Sequence, residues 1–131
     1  MRLIIIEDDL AQAKNLKRIL EQKGYAVDWM DNPKKAKTRI LLYRDEYDLV
    51  LLDLTLPGMS GMELTRSLRQ EGLTTPIIII TGQSDTDTKI ALLDSGADDY
   101  VVKPYSAGEL IARINSVLRR PTTAQPRWKR N

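Results

Sequence analysis

Residues 48–61 read DLVLLDLTLPGMSG: four aliphatic residues, Leu49 to Leu52, run straight into Asp53, and Pro57, Gly58 and Gly61 follow within eight positions. A continuous apolar run of this length, without polar alternation, indicates a strand buried on both faces, as in a parallel sheet. A carboxylate at the end of such a strand is costly to take out of water unless something pairs with it or coordinates it. The role of Asp53 therefore has to be found in what the rest of the chain brings to it.

Working outward, Leu3 to Ile6, Ile77 to Ile80 and the weaker Tyr100 to Val102 are further runs of the same kind, and the more polar Tyr25 to Met30 suits an edge strand. Helical periodicity fills the intervals. Leu10, Ala13, Leu16, Ile19 and Leu20 form one apolar stripe that stops near Gly24. Asn32-Pro33 offers a cap and a first-turn proline for a second helix carrying Ala36, Ile40 and Leu41. Gly61 to Gln70 makes a third, and Thr86 to Ser95 a fourth with Ile90 and Leu93 on one face. Ser106 and Glu109 fit a capping box that opens a fifth, with Leu110, Ile111, Ile114, Val117 and Leu118 following. Five βα units in succession predict a parallel sheet with helices on both faces, whose ligands bind beyond the carboxyl ends of the strands.

With 131 residues and 42% hydrophobic composition, the chain suits one domain with a real core. It has no cysteine and no histidine, so disulfides, thiolate metal sites and imidazole general bases are all excluded. No targeting or membrane segment is visible, and the chain reads as cytoplasmic. Residues 1–118 hold all 18 acids against 15 Lys and Arg, whereas residues 119–131 hold five basic residues and no acid. The body therefore lacks the basic face of a nucleic-acid-binding domain, and RRPTTAQPRWKRN reads as a linker. Lys34, Lys35, Lys37 and Arg39 read as the solvated face of the second helix, and Asp9 as a helix start.

The strand ends carry Glu7-Asp8-Asp9, Asp53, Thr81 and Lys103-Pro104. If they meet, several carboxylates share a small volume, and two of them about 4 Å apart repel by roughly 4 kcal/mol at an effective dielectric near 20. A divalent cation relieves this, and a small all-oxygen donor set suits Mg²⁺, with Mn²⁺ as a substitute, better than a calcium cage. Asp53 then reads as a carboxylate nucleophile toward phosphorus, with Lys103 and the Thr81 hydroxyl contacting the transferred oxygens. The Lys103-Pro104 bond is a candidate for the cis isomer.

IIIEDD, LVLLDLTLPGMSG, IIIITG and GADDYVVKPYSAGEL resemble, in order, the signatures of the receiver domain of two-component response regulators; Asp8, Asp53, Thr81 and Lys103 are separated by 45, 28 and 22 residues. GADDYVVKP with ARINSVLRR is most similar to the winged-helix OmpR/PhoB-type subfamily. The resemblance spans residues 2 to about 120. It implies an α/β, flavodoxin-like fold with a five-stranded parallel sheet in the order 2-1-3-4-5, a receiver domain over 1–120, a linker starting at 121–131, and a DNA-binding winged helix beyond.

The resemblance further implies phosphorylation of Asp53 by a histidine kinase, with Mg²⁺ held by Glu7, Asp8, Asp53 and the main-chain carbonyl of Thr55. Thr81 and Tyr100 would act as the switch. A symmetric homodimer would form through the fourth helix, fifth strand and fifth helix. Its charged positions would be Lys89, Asp98, Asp99, Glu109, Arg113 and Arg120, around Ile90, Leu93 and Ile111, with Lys89 to Glu109 as the preferred pair. DNA contact is expected only through the C-terminal domain, no membrane is involved, and no separate substrate turnover is expected. A haloacid-dehalogenase-like phosphatase fits poorly, because Thr55 stands where that family needs an acid/base aspartate. A receiver-like module that is never phosphorylated is disfavoured by the intact acidic, threonine and lysine set, and a flavin-binding module by the lack of a phosphate loop after the first strand. Gly82 and Tyr105 depart from the alanine and phenylalanine usual at their positions.

Overall fold

The computed structural model describes residues 1–120; the linker reading of residues 121–131 lies outside the described residues. The order is β1 (Arg2–Ile6), α1 (Leu10–Gln22), β2 (Ala26–Met30), α2 (Pro33–Leu42), β3 (Leu49–Asp53), α3 (Gly61–Gln70), β4 (Ile77–Thr81), α4 (Thr86–Asp94), β5 (Asp99–Val102) and α5 (Ala107–Leu118). All strand pairs are parallel, and the sheet order is β2-β1-β3-β4-β5.

Two-residue alternation along the strands divides the core into two layers. Ile4, Ile6, Val50, Leu52, Ile77 and Ile79 pack with Ala36 and Ile40 of α2, Leu64 and Leu68 of α3 and Leu92 of α4. Leu3, Ile5, Leu49, Leu51, Ile78, Ile80 and Val101 pack with Leu16, Ile19 and Leu20 of α1 and Leu110, Ile114 and Val117 of α5. β1, β3 and β4 are buried on both faces, which explains their unbroken aliphatic sequences, while the edge strand β2 is only partly buried.

One expectation about a helix face is corrected. Leu10 is exposed, because it opens α1 ahead of the turn that reaches the sheet. On α4 the core residue is Leu92, and Ile90 and Leu93 face solvent. The α5 capping box is half formed: Ser106 Oγ accepts the Glu109 N–H at 3.0 Å, while the Glu109 carboxylate turns to Arg113 instead. The other caps are side-chain oxygens of Asp9, Asn32, Ser60 and Asp85, each accepting an N–H three residues on.

Arg69 of α3, which the sequence reading passed over, ties three connections together. Its Nε donates to Gly96 O, its Nη1 to Leu73 O and Thr75 O, and its Nη2 to Asp98 at 2.8 Å; Asp98 also accepts the Ile77 N–H. Burial pulls the guanidinium below its ordinary pKa, and Asp98 opposes this. Arg69→Met strands a mostly buried carboxylate and three carbonyls, so a loss of about 3 kcal/mol is expected, read as a lower urea midpoint.

Candidate functional site

The site lies where the strand order reverses, at the carboxyl ends of β1 and β3, with β4 and β5 beside them. Strand alternation brings the groups together. Glu7 continues the parity of Leu3 and Ile5, Asp53 that of Leu49 and Leu51, and Lys103 that of Val101, so all three belong to the sheet face covered by α1 and α5. A cleft of about 360 Å³ at this edge is lined by Glu7, Asp8, Asp9, Gln12, Asp53, Thr55, Gly82 and Lys103.

Asp53 is 6% exposed and fully engaged. Its Oδ2 accepts from Lys103 Nζ at 2.5 Å, and its Oδ1 accepts the Thr55 N–H at 2.8 Å. The charge stranded at the end of an aliphatic run thus has a cation from β5 and an amide from its own turn, which offsets its desolvation. Lys103 is followed by Pro104 through a cis peptide bond.

Glu7 is 2% exposed, yet one of its oxygens, Oε1, is the buried side-chain polar atom among the described residues that has no hydrogen-bond partner. Its Oε2 accepts the Asp9 N–H at 3.2 Å. Burial, then proton sharing with Asp53 and repulsion from its charge, push the Glu7 carboxyl up to about 7. Tyr105, packed at the same edge, is pushed up to about 12, first by burial and then by the charges of Glu7 and Asp53.

Asp8 is exposed on the lip of the cleft, and Asp9 serves as the α1 cap. Among the described residues no three carboxylates stand as a ready-made metal cluster, and Lys103 and the Thr55 amide each hold one oxygen of Asp53. The donor chemistry nevertheless fits a small divalent cation: all-oxygen ligands on one cleft, two of them mutually repelling, and one buried oxygen left without a partner.

Thr81 is 1% exposed and its hydroxyl oxygen accepts the Gln83 N–H at 3.0 Å, which leaves the hydroxyl proton free to be donated elsewhere. Gln83 is itself held by Thr88 Oγ1 at 3.0 Å. Tyr100 is half-buried, its ring 5.6 Å from Lys89 Nζ and 5.8 Å from the Arg113 guanidinium carbon.

Asp98, Asp99, Glu109, Arg113 and Arg120 have partners within the chain, and Lys89 lies over the Tyr100 ring. Asp98 is turned inward to Arg69, and Arg120 reaches the Asp98 main-chain oxygen. Arg113 pairs with Asp99 at 3.1 Å and with Glu109 at 3.3 Å. Ile90 and Leu93 are exposed and Ile111 is half-buried. No helix of the described residues is long and apolar enough to cross a membrane.

Trp29, on β2, escaped the sequence reading: its indole Nε1 donates to the Glu7 carbonyl at 2.7 Å. An aromatic on an edge strand gave no cue to that contact, because only the folded register brings β2 beside the end of β1.

Comparison with known proteins places these features in a family. Residues 3–115 match the family described as the response regulator receiver domain. The chain is 43% identical over 120 residues to the cell cycle transcriptional regulator CtrA of Caulobacter vibrioides, covering 92% of this chain and 51% of that protein. It is 47% identical over 119 residues to the response regulator ArlR of Staphylococcus saprophyticus, covering 91% and 53%. The chain therefore spans about half the length of these curated relatives. Among solved structures, the receiver domain of the Francisella response regulator 1452 superposes with a TM-score of 0.84 at 32% identity, covering 91% of this chain and 97% of that one. The BeF3-activated N-terminal receiver domain of Klebsiella pneumoniae RstA gives 0.83 at 32% identity, covering 92% and 100%.

Proposed function

This chain belongs to the response regulator receiver domain family, and from that premise we propose that Asp53 accepts a phosphoryl group from a partner histidine kinase. The observation that carries the reading is the buried Asp53 carboxylate, held on one side by Lys103 and on the other by the Thr55 amide, at the floor of an open acidic cleft. A carboxylate oxygen attacks phosphorus, the new O–P bond forms as the N–P bond to the kinase imidazole breaks, and the product is an acyl phosphate. Water later attacks the same phosphorus and returns the carboxylate and inorganic phosphate. No separate substrate is turned over.

Glu7, Asp8, Asp53 and the Thr55 main-chain carbonyl would hold Mg²⁺, which supplies neutralisation of the charge on the phosphoryl oxygens. Lys103, already on the carboxylate, neutralises charge on the transferred oxygens. Thr81 donates its free hydroxyl proton to them, and Tyr100 moves inward into the space Thr81 leaves. Phosphorylation adds about one unit of negative charge and new acceptor oxygens, a local change able to bias a two-state element. That element is the surface of α4, β5 and α5, where exposed Ile90 and Leu93 offer apolar contact, Glu109, Asp99 and Arg113 can exchange internal pairs for pairs across a symmetric homodimer, and Lys89 can gain one with Glu109. In the longer protein the output is transcriptional, through a C-terminal DNA-binding domain.

Incubating the chain with acetyl phosphate and Mg²⁺ is expected to add one phosphoryl group, stable in acid and labile in base, that Asp53→Ala does not take up. Failure of the unmodified chain to take up phosphate, from acetyl phosphate or from its kinase, overturns the proposal.

A further inference from the structure

We infer that Trp29 is a positioning residue for the acidic cleft: by donating its indole N–H to the Glu7 main-chain carbonyl, it holds the Glu7–Asp9 turn where Glu7 and Asp8 face a divalent cation. The inference rests on the reading of the cleft as a Mg²⁺ site. The β1–β2 register ends at Ile6 and Met30, and the Glu7 N–H adds one more rung by donating to Met30 O at 3.0 Å. Beyond that point β2 gives way to Asp31 and Asn32, and Asn32 caps α2 through the Lys35 N–H. The β2 backbone therefore turns away before it can serve the Glu7 carbonyl, and the indole serves it instead.

Glu7 is then fixed at three atoms: its N–H by Met30, its carbonyl by Trp29 and its Oε2 by the Asp9 N–H. The fourth polar atom, Oε1, is buried and free. With three atoms so held, Glu7 lines the cleft beside Asp53, and Oε1 is its remaining oxygen open to a cation. Trp29 is 37% exposed and belongs to neither core layer, so its hydrogen bond, more than its burial, accounts for its place on the strand.

Trp29→Phe keeps a ring at the strand edge and removes the donor. Outer-shell partners of metal ligands typically change affinity 10–100-fold, and with a neutral donor to a main-chain carbonyl the lower end applies. Calorimetric titration of the full chain with Mg²⁺ is expected to show a Kd about tenfold weaker in Trp29→Phe. The Mg²⁺ concentration that half-saturates uptake from acetyl phosphate should rise by the same factor, with the maximal rate retained. In the unmodified chain, the Nε1–H NMR resonance that Trp29→Phe deletes should shift on Mg²⁺ addition, a readout independent of how well the variant folds. A Kd within twofold of the unmodified chain, or an indole resonance unmoved at saturating Mg²⁺, overturns the inference. Absence of Mg²⁺ binding by the unmodified chain overturns the reading of the cleft itself and is seen before any substitution is made.

Discussion

Glu7→Gln is expected to stabilise the metal-free protein at pH 8 by about 3 kcal/mol. In the folded chain the Glu7 carboxyl holds its proton up to about pH 7, whereas the ordinary value is 4.5. Burial is the main cause, and Asp53 adds to it. Between these two values the folded state binds more protons than the unfolded one, so stability falls as pH rises from 4.5 to 7 and the penalty is complete above 7. Glutamine carries no charge at any of these pH values and escapes the penalty. Urea unfolding in chelator should therefore show the unmodified protein losing stability through that window, and the variant not. The two should converge near pH 4.5, where Glu7 is protonated in the folded state. Added Mg²⁺ should reverse their order at pH 8, because the charge that costs stability in the empty cleft is the charge that a cation binds. A pH-independent difference between the two proteins would contradict the assignment of the raised value to Glu7.

Gly61→Ala should destabilise the protein by about 3 kcal/mol and damage phosphoryl uptake at the same time. A Cβ built on Gly61 would lie 2.5 Å from the Asp53 main-chain oxygen and 2.6 Å from Leu52 Cδ1. The requirement is close approach, not unusual backbone, since the positive-φ glycines are Gly24, Gly58, Gly72 and Gly96. The first turn of α3 is pinned to the end of β3 by the Gly61 N–H, which donates to Leu54 O at 2.7 Å, and neither backbone segment can give way cheaply. Relief must come from shifting the end of β3, which carries Asp53 relative to Lys103. The expected result is a lower urea midpoint together with a slower uptake rate in the fraction that remains folded; a normal midpoint and rate would show that the helix start can move aside.

Much of this was legible beforehand because it is local. Leu49 to Leu52 and Ile77 to Ile80 announce strands buried on both faces, and the observed β3 and β4 extend those runs by one residue each, to Asp53 and Thr81. The polar residue at the end of each central strand could be named in advance, since period-two geometry and parallel βα succession bring strand ends to one edge. The misread Leu10 has an equally local reason: it satisfies the helical period but precedes the sheet contact.

What sequence by itself determined is thus the order of elements, the two-faced burial of the central strands and the identity of the groups at their ends, because spacing and side-chain type carry those properties along the chain. Tertiary structure alone decided how those groups are paired. Asp98 lies beside Asp99 in sequence, yet one closes on Arg69 and the other on Arg113. Trp29, 22 residues from Glu7, supplies its carbonyl with a donor, and Lys103, 50 residues from Asp53, supplies its carboxylate with a cation. Hydrogen bonds and ion pairs act over about 3 Å, and only the register of the strands determines which distant residues come within that reach.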